Sequence, residues 1–229
     1  MFLLIDTADL KEIVRAVEVF PGALAGVTTC PSIIVQSGRK DIFQLLRDIR
    51  EIIGSRMLHA QVMGNTAEEI VTDACRMRDA VSGEFYPKIP VTIEGFRAMG
   101  KLRDMKIPFT ATTIHSAGQA FLAAEQGAAF LAPYINHIDD QGFAGAEMVR
   151  EVAEFLRTRS LPAKLLAASF RNTRQVGEVL AAGAHTVTLS PDIFWKLAGH
   201  PMTEASARKF RSAWDSFFGP GKNVANLPD

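Results

Sequence analysis

Residues 57–91 read MLHAQVMGNTAEEIVTDACRMRDAVSGEFYPKIPV. Two short apolar runs, 57–63 and 85–91, enclose TAEEIVTDACRMRDAV, whose apolar residues recur at helical spacing with charges on the opposite side. Runs of four to eight residues that are apolar almost throughout mark parallel strands buried on both faces. Parallel neighbours need a long crossover, and the helix between them supplies it. The stretch is therefore one strand–helix–strand unit.

Working outward in both directions, the unit repeats. Further apolar runs lie at 2–6, 23–28, 109–114, 129–135, 164–170 and 185–189, with amphipathic stretches such as DIFQLLRDIREIIG and GAEMVREVAEFLRTRS between them. Gly54, Gly100, Gly127 and Gly183 stand where helices are expected to end, each offering the left-handed cap position. Eight such units with no shift in composition imply an α/β fold, a single (β/α)₈ TIM barrel over 1–229. An open doubly wound sheet is the alternative, but no Gly-x-Gly-x-x-Gly follows the first run. After the eighth unit comes an extra C-terminal helix within 201–219, with an aromatic stripe of Phe210, Trp214, Phe217 and Phe218. That stripe either packs across its own barrel or docks on a neighbouring subunit.

Composition narrows the function. The 229 residues are 48% hydrophobic, enough for one sizeable core, and Lys+Arg balance Asp+Glu at 25 each. That balance gives no electrostatic case for a nucleic-acid or membrane partner. Cys30 and Cys75 have no metal-ligand spacing and form no disulfide framework, so neither metal nor cofactor is expected. The opening MFLLIDTADL carries Asp6 and no basic segment, unlike a signal peptide, and no apolar run approaches the ~20 residues of a membrane span. A cytoplasmic location is the expectation.

In a barrel of this kind, catalytic side chains gather where strands end. The polar residues at those ends are Asp6, Thr28 with Thr29, Gln61, Lys88, Thr112, Tyr134 with Asn136, Ser169 with Arg171, and Ser190. Lys88 is the odd one, a charge inside the apolar run FYPKIPV. It either snorkels, pairs with a buried acid, or serves as a nucleophile. Low dielectric disfavours an ammonium, and a neutral amine attacks ketones to give an imine, an electron sink for breaking the adjacent carbon–carbon bond. Around such an imine Asp6 could shuttle protons, although Asp-Thr-Ala-Asp also reads as a helix cap. Gln61 and Thr112 could place water or bond within the barrel, and Tyr134 could act as acid/base or as filler. Ser169 and Arg171 would hold an anionic group, or Arg171 would make a surface ion pair.

At these residues the sequence resembles the transaldolase superfamily of class I aldolases, in particular its small members related to fructose-6-phosphate aldolase. LIDTADL, AGVTTCPSII, AQVM, KIPVT, LAPYINHIDDQG, LAASF and the late HPMT carry the likeness in one order across the chain. The resemblance implies Lys88 as the Schiff-base lysine and Asp6 as acid/base residue. It places Thr28, Gln61, Thr112, Tyr134 and Ser169 at active-site positions, and Arg171 near an anion site. It further implies a sugar or sugar phosphate substrate and a homo-oligomer, a pentamer or decamer. Gln61 and Tyr134 look like the free aldolases, where transaldolases usually carry glutamate and phenylalanine. Two substrate-contact positions depart from the family: Cys30 replaces an asparagine, and His137 an arginine that contacts phosphate. A thiol is a weaker hydrogen-bonding group than an amide, and imidazole replaces a permanent fork of donors with a titratable ring. Aldol cleavage of a ketose or ketose phosphate is the leading expectation. Transaldolase, on a sugar phosphate or a sulfonated sugar, and a non-catalytic sugar- or anion-binding barrel are the alternatives.

Overall fold

The computed structural model describes residues 3–227, so Phe2 of the first expected run lies outside them. The barrel is closed, and its eight parallel strands are ordered β1 to β8 with β8 pairing back onto β1. In chain order the elements are β1 (Leu3–Asp6), α1 (Leu10–Val19), β2 (Leu24–Thr28), α2 (Pro31–Gln36), α3 (Ile42–Ile53), β3 (Met57–Gln61), α4 (Ala67–Ala80) and β4 (Phe85–Pro90). There follow α5 (Ile93–Asp104), β5 (Thr110–Ile114), α6 (Ala117–Glu125), β6 (Phe130–Pro133), α7 (Ile135–Asp140), α8 (Gly145–Arg159), β7 (Lys164–Ala167), α9 (Thr173–Ala181) and β8 (Thr186–Leu189). The chain closes with α10 (Pro191–Ala198), α11 (Pro201–Phe218) and a 3₁₀ turn, Val224–Asn226. Every expected strand run contains a strand. Two short helices, α2 and α7, follow β2 and β6 directly and were not foreseen.

The chain divides into two compact units, Met1–Ile193 and Phe194–Asp229. In the first, α3 shows how sequence sets the packing: Leu45, Leu46, Ile49 and Ile53 recur along one side of the helix and are fully buried. Each contributes about 1.5–3 kcal/mol over leaving it in water. Inside the barrel, Leu4, Phe130 and Leu166 fill one layer, with Tyr86 and Met57 packed against it. In the second unit α11 carries the aromatic stripe; the rings of Trp214 and Phe218 meet at 4.3 Å, tilted by 36°, and Trp214 Nε1 donates to Lys222 O at 2.9 Å. No helix among the described residues is long and apolar enough to cross a membrane.

Two local expectations need correction. The helix after β1 is capped by Asp9, whose side chain accepts from Lys11 N at 2.8 Å, so Asp6 is not its cap. Gly100 does not end a helix: α5 runs through it to Asp104 and breaks at Lys106, with φ 56°. Buried Met99 and Leu102 hold that last turn against the core, and their packing outweighs the intrinsic weakness of glycine. A Cβ on Gly100 would meet only Gln126 Oε1, at 3.6 Å, an ordinary contact. Gly100→Ala is therefore expected to stabilise the fold by about 0.5–1 kcal/mol, raising Tm by about 1–4 °C in a thermal melt. Gly54, Gly127 and Gly183 do adopt positive φ after their helices.

Candidate active site

Lys88 sits on β4 with 4% of its surface exposed. Its Nζ donates to the carbonyl of Thr29 at 3.1 Å, and no carboxylate among the described residues pairs with it. Neither snorkelling nor an ion pair describes it. The end of β4 is held by Gly95 in the first turn of α5, where a Cβ would fall 1.9 Å from Pro90 O, so only glycine lets that helix seat there. Gln61 lies opposite Lys88 in the β3–β4 register, and Thr112 lies opposite Pro90 on β5.

Across the barrel, Asp6 is paired in register with Thr28. Thr28 Oγ1 donates to Asp6 Oδ1 at 2.5 Å and contacts Thr188 Oγ1 at 2.7 Å. A hydroxyl has one proton to give, so Thr188 must donate to Thr28 and Thr28 to Asp6. This relay orients the carboxylate at the strand end. Asp6 also borders a cleft of about 790 Å³ with Arg39 and Ser190 on its walls.

On the β5–β6 side, Thr112 Oγ1 donates to Tyr134 OH at 3.4 Å. Tyr134 meets His137 edge to face at 5.4 Å, and it meets His115 the same way at 5.6 Å. The two imidazoles are nearly parallel, 9° apart at 5.7 Å. His115 thus joins the expected set, a residue that the strand-end positions did not single out. Asn136 is buried, donating to Asp140 Oδ2 at 2.7 Å and accepting from Gln175 Nε2 at 3.4 Å. Ser169 is left-handed at φ 61°, and its carbonyl accepts from Asn136 N at 2.8 Å. Arg171 is exposed, with no ion pair among the described residues.

Backbone strain also collects here. Thr113, a β-branched residue, has φ 59° within β5, where the register with β6 shifts between Ala111 and Ile114. Its Oγ1 donates to Thr112 O at 2.6 Å, locking the kink that carries Thr112. Such a conformation costs about 1–3 kcal/mol and persists only where surroundings enforce it. Nothing in the residue types announced it.

Cys30 occupies the N-cap of α2, which starts with Pro31, and its side chain makes no capping bond. Its Sγ instead contacts Ser32 Oγ at 3.1 Å. Asparagine is among the best caps and a thiol is not one. Cys30→Asn is expected to add about 1 kcal/mol of stability in urea unfolding, apart from any effect on substrate.

Beneath Lys88 lies a pair that sequence reading passed over. His59 is fully buried, its Nδ1 is 2.8 Å from Thr110 Oγ1, and its ring stacks on Tyr86 at 4.8 Å and meets Phe130 edgewise at 5.0 Å. Burial first, and then the charge of Lys88, pulls its pKa down to about 3. The imidazole is therefore neutral at physiological pH. The period of two that put Gln61 on the inner face also put His59 there, which was the available signal. No three His, Cys, Asp or Glu side chains converge as a metal site among the described residues.

The expected residues thus fall into contacts as Lys88 with the Thr29 carbonyl, Asp6 with Thr28, Thr112 with Tyr134, and Tyr134 with His137. Among the described residues, Cys30 and Arg171 bond to nearby residues of their own segments. Among solved structures, a mandelate oxidase mutant superposes with a TM-score of 0.58 over 86% of this chain and 67% of its own, at 15% identity. That likeness speaks to the fold alone. The family model described as transaldolase/fructose-6-phosphate aldolase matches residues 3–224. A probable fructose-6-phosphate aldolase of Streptococcus pneumoniae is 37% identical over 215 residues, 93% of this chain and 96% of that one. With a strand-end lysine, a hydroxyl-oriented aspartate and a match spanning nearly the whole barrel, the chain belongs to the transaldolase/fructose-6-phosphate aldolase family of Schiff-base enzymes, as a fructose-6-phosphate aldolase-like member.

Proposed function

We propose that the chain cleaves and forms a ketose or ketose phosphate reversibly, exchanging it for a dihydroxyacetone-type donor and an aldehyde through an imine on Lys88. The observation that carries this reading is a buried lysine whose one hydrogen bond among the described residues runs to a neutral backbone carbonyl. A buried amine that is tied up in no ion pair among the described residues is available to attack a carbonyl. The amine adds to the ketone carbon, water leaves, and a protonated imine forms. The proton of the hydroxyl on the far carbon passes to a base, the role we assign to Asp6. The carbon–carbon electron pair then moves into the imine to give an enamine, and the aldehyde departs. Protonation of the enamine carbon and addition of water return the amine and release the donor. Gln61, Thr112 and Tyr134 are the groups for that water, the last two already hydrogen-bonded to one another. Thr28 orients Asp6; Cys30 and Ser169 border the donor; Arg171 and His137 would receive the substrate's far, anionic end.

Borohydride reduction in the presence of candidate ketoses, followed by peptide mass analysis, tests this. A donor-sized adduct on the peptide containing Lys88 is the expected result. Absence of any adduct with every ketose offered would overturn the reading. Release of free dihydroxyacetone without an acceptor aldehyde separates aldolase from transaldolase, and the neutral Gln61 with the phenol of Tyr134 favours release. A homo-oligomer of five or ten copies belongs to the same proposal. No residue of α11 is buried, and Phe210 and Phe217 of its aromatic stripe are exposed, which supports a partner surface there. Light scattering in solution decides it, and a monomer would count against it.

A further inference from the structure

Two of the four buried side-chain polar atoms left without a partner among the described residues, His59 Nε2 and Thr29 Oγ1, are carried by residues bonded around Lys88. Thr29 accepts from Lys88 Nζ through its carbonyl and donates its N–H to His59 O at 2.9 Å. Leaving such an atom bare costs about 1–3 kcal/mol, so clustered exceptions call for a local reason. The His59–Thr110 bond reaches from β3 to β5, across the inner face of β4, the strand that carries Lys88. His59 is level with Tyr86, and Thr110 is level with Lys88. The bond therefore runs diagonally beneath the lysine, with the Phe130–Tyr86 layer packed on its other side. Apolar side chains would close this floor without loss, yet the chain spends a histidine and a threonine there.

Resting on the Schiff-base reading of Lys88, we propose that Thr110, aimed by His59, is a specificity-determining residue for the donor ketone. Its hydroxyl bonds the hydroxymethyl arm that is not attacked by the aldehyde. A ketone joined to Lys88 has two arms: one forms the new carbon–carbon bond, and the other must lie against the barrel floor. The register neighbour of Lys88 on β5 at that depth is Thr110, and it is the one that carries a hydroxyl. His59 is a positioning residue. Its neutral ring, held by Tyr86 and Phe130, fixes the torsion and proton of the Thr110 hydroxyl while leaving that oxygen capacity for a second bond. The site would thus favour ketones hydroxylated on both arms over ketones with one methyl arm.

The test compares dihydroxyacetone with hydroxyacetone, which differ only in the hydroxyl of that arm, using an excess of one aldehyde. Borohydride trapping of the wild-type protein with each ketone comes first; if neither traps, the Schiff-base reading fails, and this proposal is not what failed. With trapping in hand, Thr110→Val, which keeps the shape and removes the hydroxyl, should lower the kcat/KM ratio of dihydroxyacetone to hydroxyacetone by about tenfold, the size of one lost hydrogen bond. Thr110→Ser restores the hydroxyl and should restore the ratio. His59→Phe keeps the ring stack and should move the ratio in the same direction as Thr110→Val; His59→Gln serves if the phenylalanine variant does not fold. A ratio within twofold of wild type in Thr110→Val, with both ketones losing rate in parallel, would overturn the proposal and leave the pair a packing element. So would a shift in the His59 variants with none in Thr110→Val.

Discussion

Lys88→Met is expected to lower kcat/KM for ketose cleavage by about 10⁴-fold or more, about 5.5 kcal/mol of transition-state stabilisation, and to leave the barrel folded. Methionine has nearly the same length and volume and no charge, so the cavity that holds Lys88 stays filled. The lost hydrogen bond is the one to the Thr29 carbonyl. Against it stands the removal of an amine that is 4% exposed and has no counter-charge among the described residues. Desolvating an amine without a counter-charge costs more than one hydrogen bond returns, so the variant should be more stable than the wild type by about 1 kcal/mol or more and melt at a higher temperature. Such a gain in stability with loss of activity is the usual mark of a site held in an unfavourable state for its chemistry. Steady-state assay, borohydride trapping and a thermal melt on the same sample check all three outcomes. Turnover within tenfold of wild type would remove Lys88 as nucleophile; a lower melting temperature would show that the lysine is a structural element.

Which features were legible in the sequence depended on whether their physics is periodic. The eight runs were readable because a strand buried on both faces must be apolar nearly throughout, and eight such runs closed into the observed barrel. Lys88 stood out against that background for the same reason. Helix ends were less legible. Gly100 has the composition of a cap, but Met99 and Leu102 have core to reach, and tertiary packing carried the helix past it. Asp6 and Asp9 share one cap-like motif, and only the hydrogen bonds separate the one that caps from the one that meets Thr28. The left-handed Thr113 and Ser169 were invisible, because residues that adopt positive φ at a cost do so under constraint from neighbours far away in sequence. His59 and Thr110 were missed for a related reason. They stand 51 residues apart and become a unit only when β3 and β5 flank β4.

That buried histidine also sets how the fold responds to acid. His59 has its pKa lowered from 6.5 to about 3 by burial and by the charge of Lys88. Above about pH 6.5 the ring is neutral in folded and unfolded chains alike, and it contributes no pH dependence. Between about 6.5 and 3 the unfolded chain takes up a proton that the folded chain refuses, so stability falls as pH falls. The slope is about 1.4 kcal/mol per pH unit, or about 2 kcal/mol between pH 6.5 and 5. Below about 3 both states bind the proton, and the slope from this group ends. The surface carboxylates Asp41, Asp48, Glu68 and Glu147, held low by their hydrogen-bond partners, give stability that is lost as pH drops through their own lower range. They are common to wild type and variant, so a difference measurement cancels them. His59→Phe keeps the contacts with Tyr86 and Phe130 but strips Thr110 of its partner, so at pH 7 it should be less stable than wild type by about 1–3 kcal/mol. At pH 5 the gap should close by about 2 kcal/mol, because the variant carries no histidine for the unfolded state to protonate. Urea unfolding of both proteins at pH 7 and pH 5 reads this directly. A gap that stays constant between the two pH values would show that His59 is charged in the folded barrel.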